Sequence, residues 1–554
     1  MESADKVKTE RWIVYYDSFE EMFQYFCDNT TIHGTIRLNC SKRNKMKTTF
    51  WLVIFLLSIA IMYWQFGIMI NHYWAYPIST AISLQSKGNT FPAVTICNLN
   101  PYRFDEVNTY VNQLDKMAQE TLYSVYKYDG PKARNQVIHL QDFLPNVTHQ
   151  FNGSFQLDQS IVLLKLQENG SGPALPGVKK FQLGFKMCNS SGGDCYYKSY
   201  WSGVDALHEW YKYHYINIMS KIPPVLNTAG EELAKNFIFT CDFIDKPCIE
   251  REYDYFHHPI YGSCFTVNPQ RKENVLYSPR PGKKYGLSLK VKVDQNDNMP
   301  LLSSAAGARI MIHNPNQPPL VEHDGFDIRP GTETSIGIKQ DEVKHLGGKY
   351  GQCASDGNDL GFKLLYSTSY TLQACLNSCF QYKMIEMCGC GYYFYPLPPD
   401  TEYCNYNKYP GWGHCFYRLH EKMLDHRHHC FTQCPMQCTE TRYQLSAGTA
   451  QWPSPTSKTW VIPVLNWHKG YNTTSKRSDV SKINIYYEEV SYQSVEETPA
   501  MPVTLLLSNM GGQWSWWFGS SVLSVVEIAE LVLDTVAMVI LITYRWKKKK
   551  RAPQ

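Results

Sequence analysis

The 554-residue sequence carries almost no net charge and very little uninterrupted apolar sequence. Its 54 Lys and Arg against 50 Asp and Glu leave a formal +4, which argues against a broadly basic surface for nucleic acid. Absent too is any G-x-S-x-G, H-E-x-x-H or P-loop pattern, so the serine-hydrolase, zinc-peptidase and phosphate-cradling classes drop out. There is no short-period repeat and no low-complexity tract. The chain reads as a non-enzyme, and its length calls for several subdomains rather than one core.

Two apolar runs stand out against this background. The first, residues 50–70 (FWLVIFLLSIAIMYWQFGIMI), is long enough for a hydrocarbon core of about 30 Å. It starts too late for a cleaved signal peptide and reads as a signal-anchor. The second, residues 514–544, contains Glu527, Glu530 and Asp534 at spacings of three and four, on one helical face. One acid at membrane depth costs roughly 2.5–3.5 kcal/mol, so three require water, a partner or an ion path. A buried helix whose acids pair with bases elsewhere is the alternative, weakened because the first span contains no Lys or Arg. A water-filled path that attracts cations is the preferred reading.

Basic clusters flank both runs: Lys42, Arg43, Lys45 and Lys47 before the first, and Arg545 with Lys547 to Arg551 after the second. That bias predicts cytoplasmic segments at 1–49 and 545–554 and an external region at 71–513. Cysteine usage agrees. Cys27 and Cys40 fall in the N-terminal segment, whereas sixteen of the 18 lie between Cys97 and Cys438, an even number suited to disulfides. Sequons at Asn146, Asn152, Asn169, Asn189 and Asn472 are predicted to be glycosylated there.

Within the external region, FPAVTIC (91–97), NFIFTC (236–241), GLSLKVKV (286–293), GARIMI (307–312) and KINIYY (482–487) read as strands. Residues 103–126 have helical periodicity, and residues 145–195 read as an exposed, irregular excursion. The pair His257-His258 reads as part of a turn. Ten cysteines crowd into residues 353–438. Cys388 and Cys390 with His426, His428, His429 and Cys430 superficially suggest zinc, but ten external thiols favour five disulfides and no metal.

Thr31-Ile-His33-Gly34, FPAVTIC, the ten-cysteine block and Trp517-Phe-Gly519-Ser520-Ser521-Val-Leu-Ser524-Val-Val-Glu527 together resemble the epithelial sodium channel / degenerin / acid-sensing channel family. The resemblance covers nearly the whole chain. GSS at 519–521 points to the alpha/delta kind of subunit; EYCNYNKYPGWGHCFYRL, SYQSVEETPA and the lack of Arg-x-x-Arg between 140 and 195 favour delta.

The resemblance implies a trimeric channel of two-transmembrane-helix subunits. Each would carry a large disulfide-rich α+β ectodomain with palm sheet, β-ball, finger, knuckle and thumb, the thumb being 353–438. It implies the pairs Cys97–Cys264, Cys188–Cys195, Cys241–Cys248, Cys353–Cys438, Cys375–Cys434, Cys379–Cys430, Cys388–Cys415 and Cys390–Cys404. Gly519, Ser520 and Ser521 would form the selectivity filter, with Glu527, Glu530 and Asp534 as the pore's acidic face. Ser515 would contact amiloride, Ser508 occupy the degenerin position, and His33 and Gly34 act in gating.

The implied function is an amiloride-sensitive, voltage-independent sodium channel of the plasma membrane, apical in epithelia. Its partners would be beta- and gamma-like subunits, membrane lipid and amiloride-type blockers, with no nucleic acid and no cofactor beyond permeant Na+. A proton-gated cation channel of the same family and a non-conducting two-span receptor or adhesion subunit are the alternatives.

Overall fold

The computed structural model describes residues 16, 18–33, 45–86, 89–99, 114, 161–167, 181–221, 237–248, 253–269, 276–293, 302, 305–357, 360–424, 429–468, 479–519 and 521–551. The chain divides into two compact units, one of residues 1–80 and 497–554, the other of residues 81–496.

The larger unit is built on two sheets. The strands that carry it are β1 (Ile78–Ser86), β2 (Ala93–Asn98), β3 (Ile161–Gln167), β4 (Phe181–Cys188), β5 (Cys195–Tyr200), β6 (Ile238–Phe243), β7 (Asp254–His258), β8 (Gly262–Val267), β9 (Leu287–Lys292), β10 (Ala308–His313), β11 (Phe326–Ile328), β12 (Thr332–Lys344), β13 (Thr439–Gln451), β14 (Val480–Tyr487) and β15 (Ser491–Pro499). An eight-stranded sheet runs β1-β15-β12-β14-β9-β6 and ends on a two-residue strand at Lys246–Pro247, with β13 also paired to β12. A five-stranded sheet runs β11-β10-β2-β8-β7.

Strand β9 shows why these residues form a sheet. Leu287, Leu289 and Val291 alternate inward while Ser288, Lys290 and Lys292 stay partly exposed, the period of two that a half-buried strand needs. On β14, Ile483 and Ile485 face Leu289 and Leu287 in antiparallel register. Together with Ile336, Ile338, Val94, Ile96, Phe265, Ile310 and Ile312 they make one core shared by both sheets. In the smaller sheet Cys97 lies directly opposite Cys264, and the two are bonded across the strands.

A second core gathers around helix α3 (Gly203–Met219), the hairpin β4–β5 and helices α4 (Leu372–Cys388) and α5 (Trp412–Leu424). Aromatic stacking fills it: Tyr392 lies 4.3 Å from Phe416, and Tyr213 lies 4.9 Å from Trp412. Ten of the cysteines staple this region. Cys375 and Cys379, one turn apart on α4, reach Cys434 and Cys430 around the short helix α6 (His429–Gln433); Cys353–Cys438, Cys388–Cys415 and Cys390–Cys404 complete the block. With Cys188–Cys195 and Cys241–Cys248 the bridges number eight, the same eight pairs that the family resemblance implies.

Three expectations need correction. The excursion at 145–195 is not irregular where it is described: β3, β4 and β5 form a three-stranded antiparallel sheet, and Leu183, Phe185 and Met187 of β4 are buried. His257 and His258 are not in a turn; they end strand β7. His258 is mostly buried, and its Nδ1 accepts the backbone N–H groups of Ile260 and Tyr261 at 3.2 and 3.3 Å. The helix at 103–126 lies outside the described residues except for Leu114, which is helical and buried. Of the sequons, only Asn189 is described, at the tip of the β4–β5 hairpin; Asn146, Asn152, Asn169 and Asn472 lie outside.

Candidate ion-conduction site

The smaller unit contains helices α1 (Phe19–Asn29), α2 (Lys45–Trp74), α8 (Val503–Phe518) and α9 (Val522–Arg551); α7 (Lys458–His468) belongs to the larger unit. Among the described residues α2 is the one helix long and apolar enough to cross a membrane. Within the span expected at 514–544 the helix is interrupted after Phe518: α8 begins already at Val503, and α9 begins at Val522. Ser508 and Ser515 both lie exposed on α8.

Gly519 makes the break. It sits at φ +60°, ψ 16°, a left-handed conformation that favours glycine, and its N–H caps α8 through the Ser515 carbonyl at 2.8 Å. Ser521 then starts α9. Its Oγ accepts the Leu523 N–H at 3.2 Å, and its own N–H donates to Ser524 Oγ at 3.2 Å. Ser520 and Gly34 lie outside the described residues.

The N-terminal segment crosses this break. The His33 N–H donates to the Phe518 carbonyl at 2.9 Å, and a Cβ on Gly519 would stand 2.8 Å from His33 Nδ1. Farther along, Thr31 Oγ1 lies 2.6 Å from Ser524 Oγ. Glu527 Oε2 collects three hydrogen bonds: from Thr30 Oγ1 at 2.9 Å, the Thr31 N–H at 2.9 Å and Thr31 Oγ1 at 3.3 Å. Glu527, Glu530 and Asp534 line a cavity of about 130 Å³ together with Tyr16, Tyr25 and Asn29. The three acids do share a side of α9, and in this chain that side meets the N-terminal segment.

Packing fixes α8 on α2. Phe518 is buried against Met62 and Phe66, with its ring edge-on to Phe55 at 5.5 Å. Trp517 Nε1 donates to Gln65 Oε1 at 3.0 Å.

The sequence reading missed Thr30, Thr31 and Gln65. A signal for the first two was available: Ser18 followed three residues later by Glu21, ahead of an amphipathic run, marks a helix start, and Ser18 Oγ does accept the Glu21 N–H at 3.2 Å. A helix at 19–29 puts Thr30 and Thr31 just past its end, where free hydroxyls meet a partner.

A family model described as "Amiloride-sensitive sodium channel" matches residues 26–531. The chain is 43% identical to the epithelial sodium channel subunit alpha of Xenopus laevis, covering 99% of this chain and 87% of that one. It is 44% identical to the alpha subunit of Neoceratodus forsteri (98% and 84% covered) and 43% identical to that of Homo sapiens (97% and 81% covered). A solved proton-activated chloride channel aligns at a TM-score of 0.27 and 6% identity, covering 89% of this chain and 98% of that one, which is too low to carry any argument. The family model's span and the near-complete match to the alpha subunits place this chain in the amiloride-sensitive sodium channel family.

Proposed function

We propose that the chain is a pore-forming subunit of an amiloride-sensitive, voltage-independent sodium channel of the plasma membrane. The observation that carries the reading is the glycine-made helix break at 519–521 standing immediately before an acid-bearing helix, in a chain 43% identical to sodium channel alpha subunits. Three subunits, this one with beta- and gamma-like partners, surround the path. In each, the break at Gly519–Ser521 brings backbone close to the ion, where carbonyls and the remaining lone pair of Ser521 Oγ replace part of the hydration shell of a small cation.

Below the break, carboxylates on α9 concentrate cations and exclude anions. Glu527, Glu530 and Asp534 all line the cavity; Glu527 divides its charge between this task and the N-terminal threonines, so the other two carry more of it. Ser515, exposed one turn above Gly519, suits a blocker contact at the outer mouth, and Ser508 lies two turns farther out. His33 packs on Gly519, which suits a gating role through the filter's backbone. Both termini are cytoplasmic, with the disulfide-rich unit outside. Similarity to alpha subunits supports the alpha/delta kind.

The test is sodium current blocked by amiloride, recorded with this chain alone and with beta- and gamma-like partners. Surface protein without such current in any combination sinks the reading. A further arm replaces Ser521 by Ala; an unaltered sodium-over-potassium ratio removes its side chain from the filter.

A further inference from the structure

Gln65 is the one carboxamide in the first apolar run, 20 residues after Lys45 and so about 30 Å along helix α2. The run's other small polar residue, Ser58, satisfies itself by donating to the Ile54 carbonyl one turn back at 2.9 Å. Gln65 does something different. Its Oε1 accepts the indole N–H of Trp517, two residues before the Gly519 break. It is a directional bond between side chains of two membrane helices, so it selects one rotational setting of α8 against α2.

The apolar contacts around it do not select in the same way. Phe518, Phe55, Met62 and Phe66 form a greasy, non-directional contact that tolerates sliding, whereas an N–H···O bond is directional. Successive residues on a helix turn by 100°, so the setting of Trp517 fixes where the carbonyls of Phe518 and Gly519 point. The Phe518 carbonyl is already committed to His33.

We propose that Gln65 is a positioning residue for cation selectivity: through Trp517 it sets the rotation at which helix α8 delivers the 519–521 break to the ion path. The inference rests on the functional reading above and adds a residue from the other membrane helix to it.

The test uses full-length channel, in whichever subunit combination conducts, and compares Gln65→Leu, Gln65→Asn, Trp517→Phe and the Gln65→Leu/Trp517→Phe double variant. Surface biotinylation scores assembly, and reversal potentials under sodium and potassium score selectivity. Gln65→Leu and Trp517→Phe are each expected to lower the sodium-over-potassium permeability ratio by roughly threefold, the factor that one average hydrogen bond between membrane helices carries. The double variant should go no lower than the worse single one, and Gln65→Asn, one methylene short, should fall between.

An unchanged ratio in either conducting single variant, or a double effect equal to the product of the two, overturns the proposal. Trp517→Phe keeps an aromatic ring and loses the N–H, so it decides the question if Gln65→Leu does not reach the surface. Wild-type channel with no amiloride-blocked current defeats the functional reading and this one together; wild-type current with unaltered variants defeats this one alone.

Discussion

Thr30 and Glu527, 497 residues apart in the chain, are joined by a 2.9 Å hydrogen bond from hydroxyl to carboxylate. The same threonine ends helix α1, its N–H bonded to the Phe26 carbonyl at 2.9 Å. One residue thus terminates the N-terminal helix and fastens it to the acid-bearing helix. Thr31 adds its N–H and hydroxyl to the same oxygen, and bonds to a charged acceptor contribute roughly 1.5–3 kcal/mol each.

Removing that acceptor should therefore loosen α1. With Glu527→Leu, backbone hydrogen exchange across Phe19–Asn29 is expected to accelerate about ten- to hundredfold in the full-length channel, the range that 1.5–3 kcal/mol implies. Thr30→Val should give a smaller acceleration, and adding it to Glu527→Leu should change little more. Independent, additive effects would mean that the carboxylate is not what holds the segment.

Gly512, inside α8, and Gly519, just past its end, offer a paired comparison. Alanine at 519 meets both an unfavourable φ, costing about 1 kcal/mol, and the His33 ring at 2.8 Å. Alanine at 512 meets nothing within 4 Å and favours the helix. Gly519→Ala is expected to abolish or severely reduce current at normal surface density, and Gly512→Ala to leave it intact. Equal currents in the two would show that the break needs neither the left-handed turn nor the close approach.

The bridges differ in what they stabilise. Cys97–Cys264 closes 167 residues, a loop that no other bridge closes, and Cys188–Cys195 closes 7. Chain-entropy reasoning assigns about 5 kcal/mol to the first and about 2 to the second. Replacing both cysteines of the long bridge by serine should lower the melting temperature of purified channel clearly more than the same change in the hairpin. Similar losses would count against an unfolded-state origin.

Acid should destabilise the disulfide-rich unit through buried histidines. Burial lowers the pKa of His214 to about 3 and that of His313 to about 4, the latter 2.8 Å from the Thr95 hydroxyl. Both folded values lie below the unfolded value near 6.5, so below pH 6.5 the unfolded chain takes up protons that the folded one refuses. The stability they contribute is fully present above pH 6.5 and is lost towards pH 3–4. Between pH 6.5 and 5 each histidine accounts for about 2 kcal/mol. Thermal unfolding across that range should show the loss, and His214→Phe should flatten the slope.

Much of the fold was legible because its signals are local or arithmetical. GLSLKVKV alternates with period two and became β9; an even count of external cysteines became eight bridges. The helix break could be anticipated from Gly519 only through the family resemblance, since an unbroken helical projection through residues 514–544 still lines up Glu527, Glu530 and Asp534. The excursion at 145–195 was misjudged because its Gly, Asn and Ser surround two apolar strands and mask their period. What the acids face was not legible at all. Nothing in the spacing of Thr30 and Thr31 announces a partner almost 500 residues away, and the first span's lack of Lys and Arg drew attention to missing charges rather than to hydroxyls, an amide and a peptide N–H.

The two bridges from α4 to the α6 turn also pose an assembly problem. Cys375 and Cys379 present sulfurs from consecutive turns of one helix face, and Cys430 and Cys434 do the same opposite them. The swapped pairing, 375 with 430 and 379 with 434, differs by crossing two bonds within one helical turn, about 6 Å of rise. Thiol chemistry alone discriminates poorly over that span. The choice falls to whatever aligns the segments beforehand, and here Thr371 capping α4, the Tyr370 hydroxyl on the Pro435 carbonyl and the Gln437 side chain donating to the Tyr370 carbonyl are among the noncovalent contacts that hold the phase. Oxidation then records an alignment already made, so a variant that disturbs Tyr370 should reveal itself as scrambled covalent isomers rather than as a missing bond.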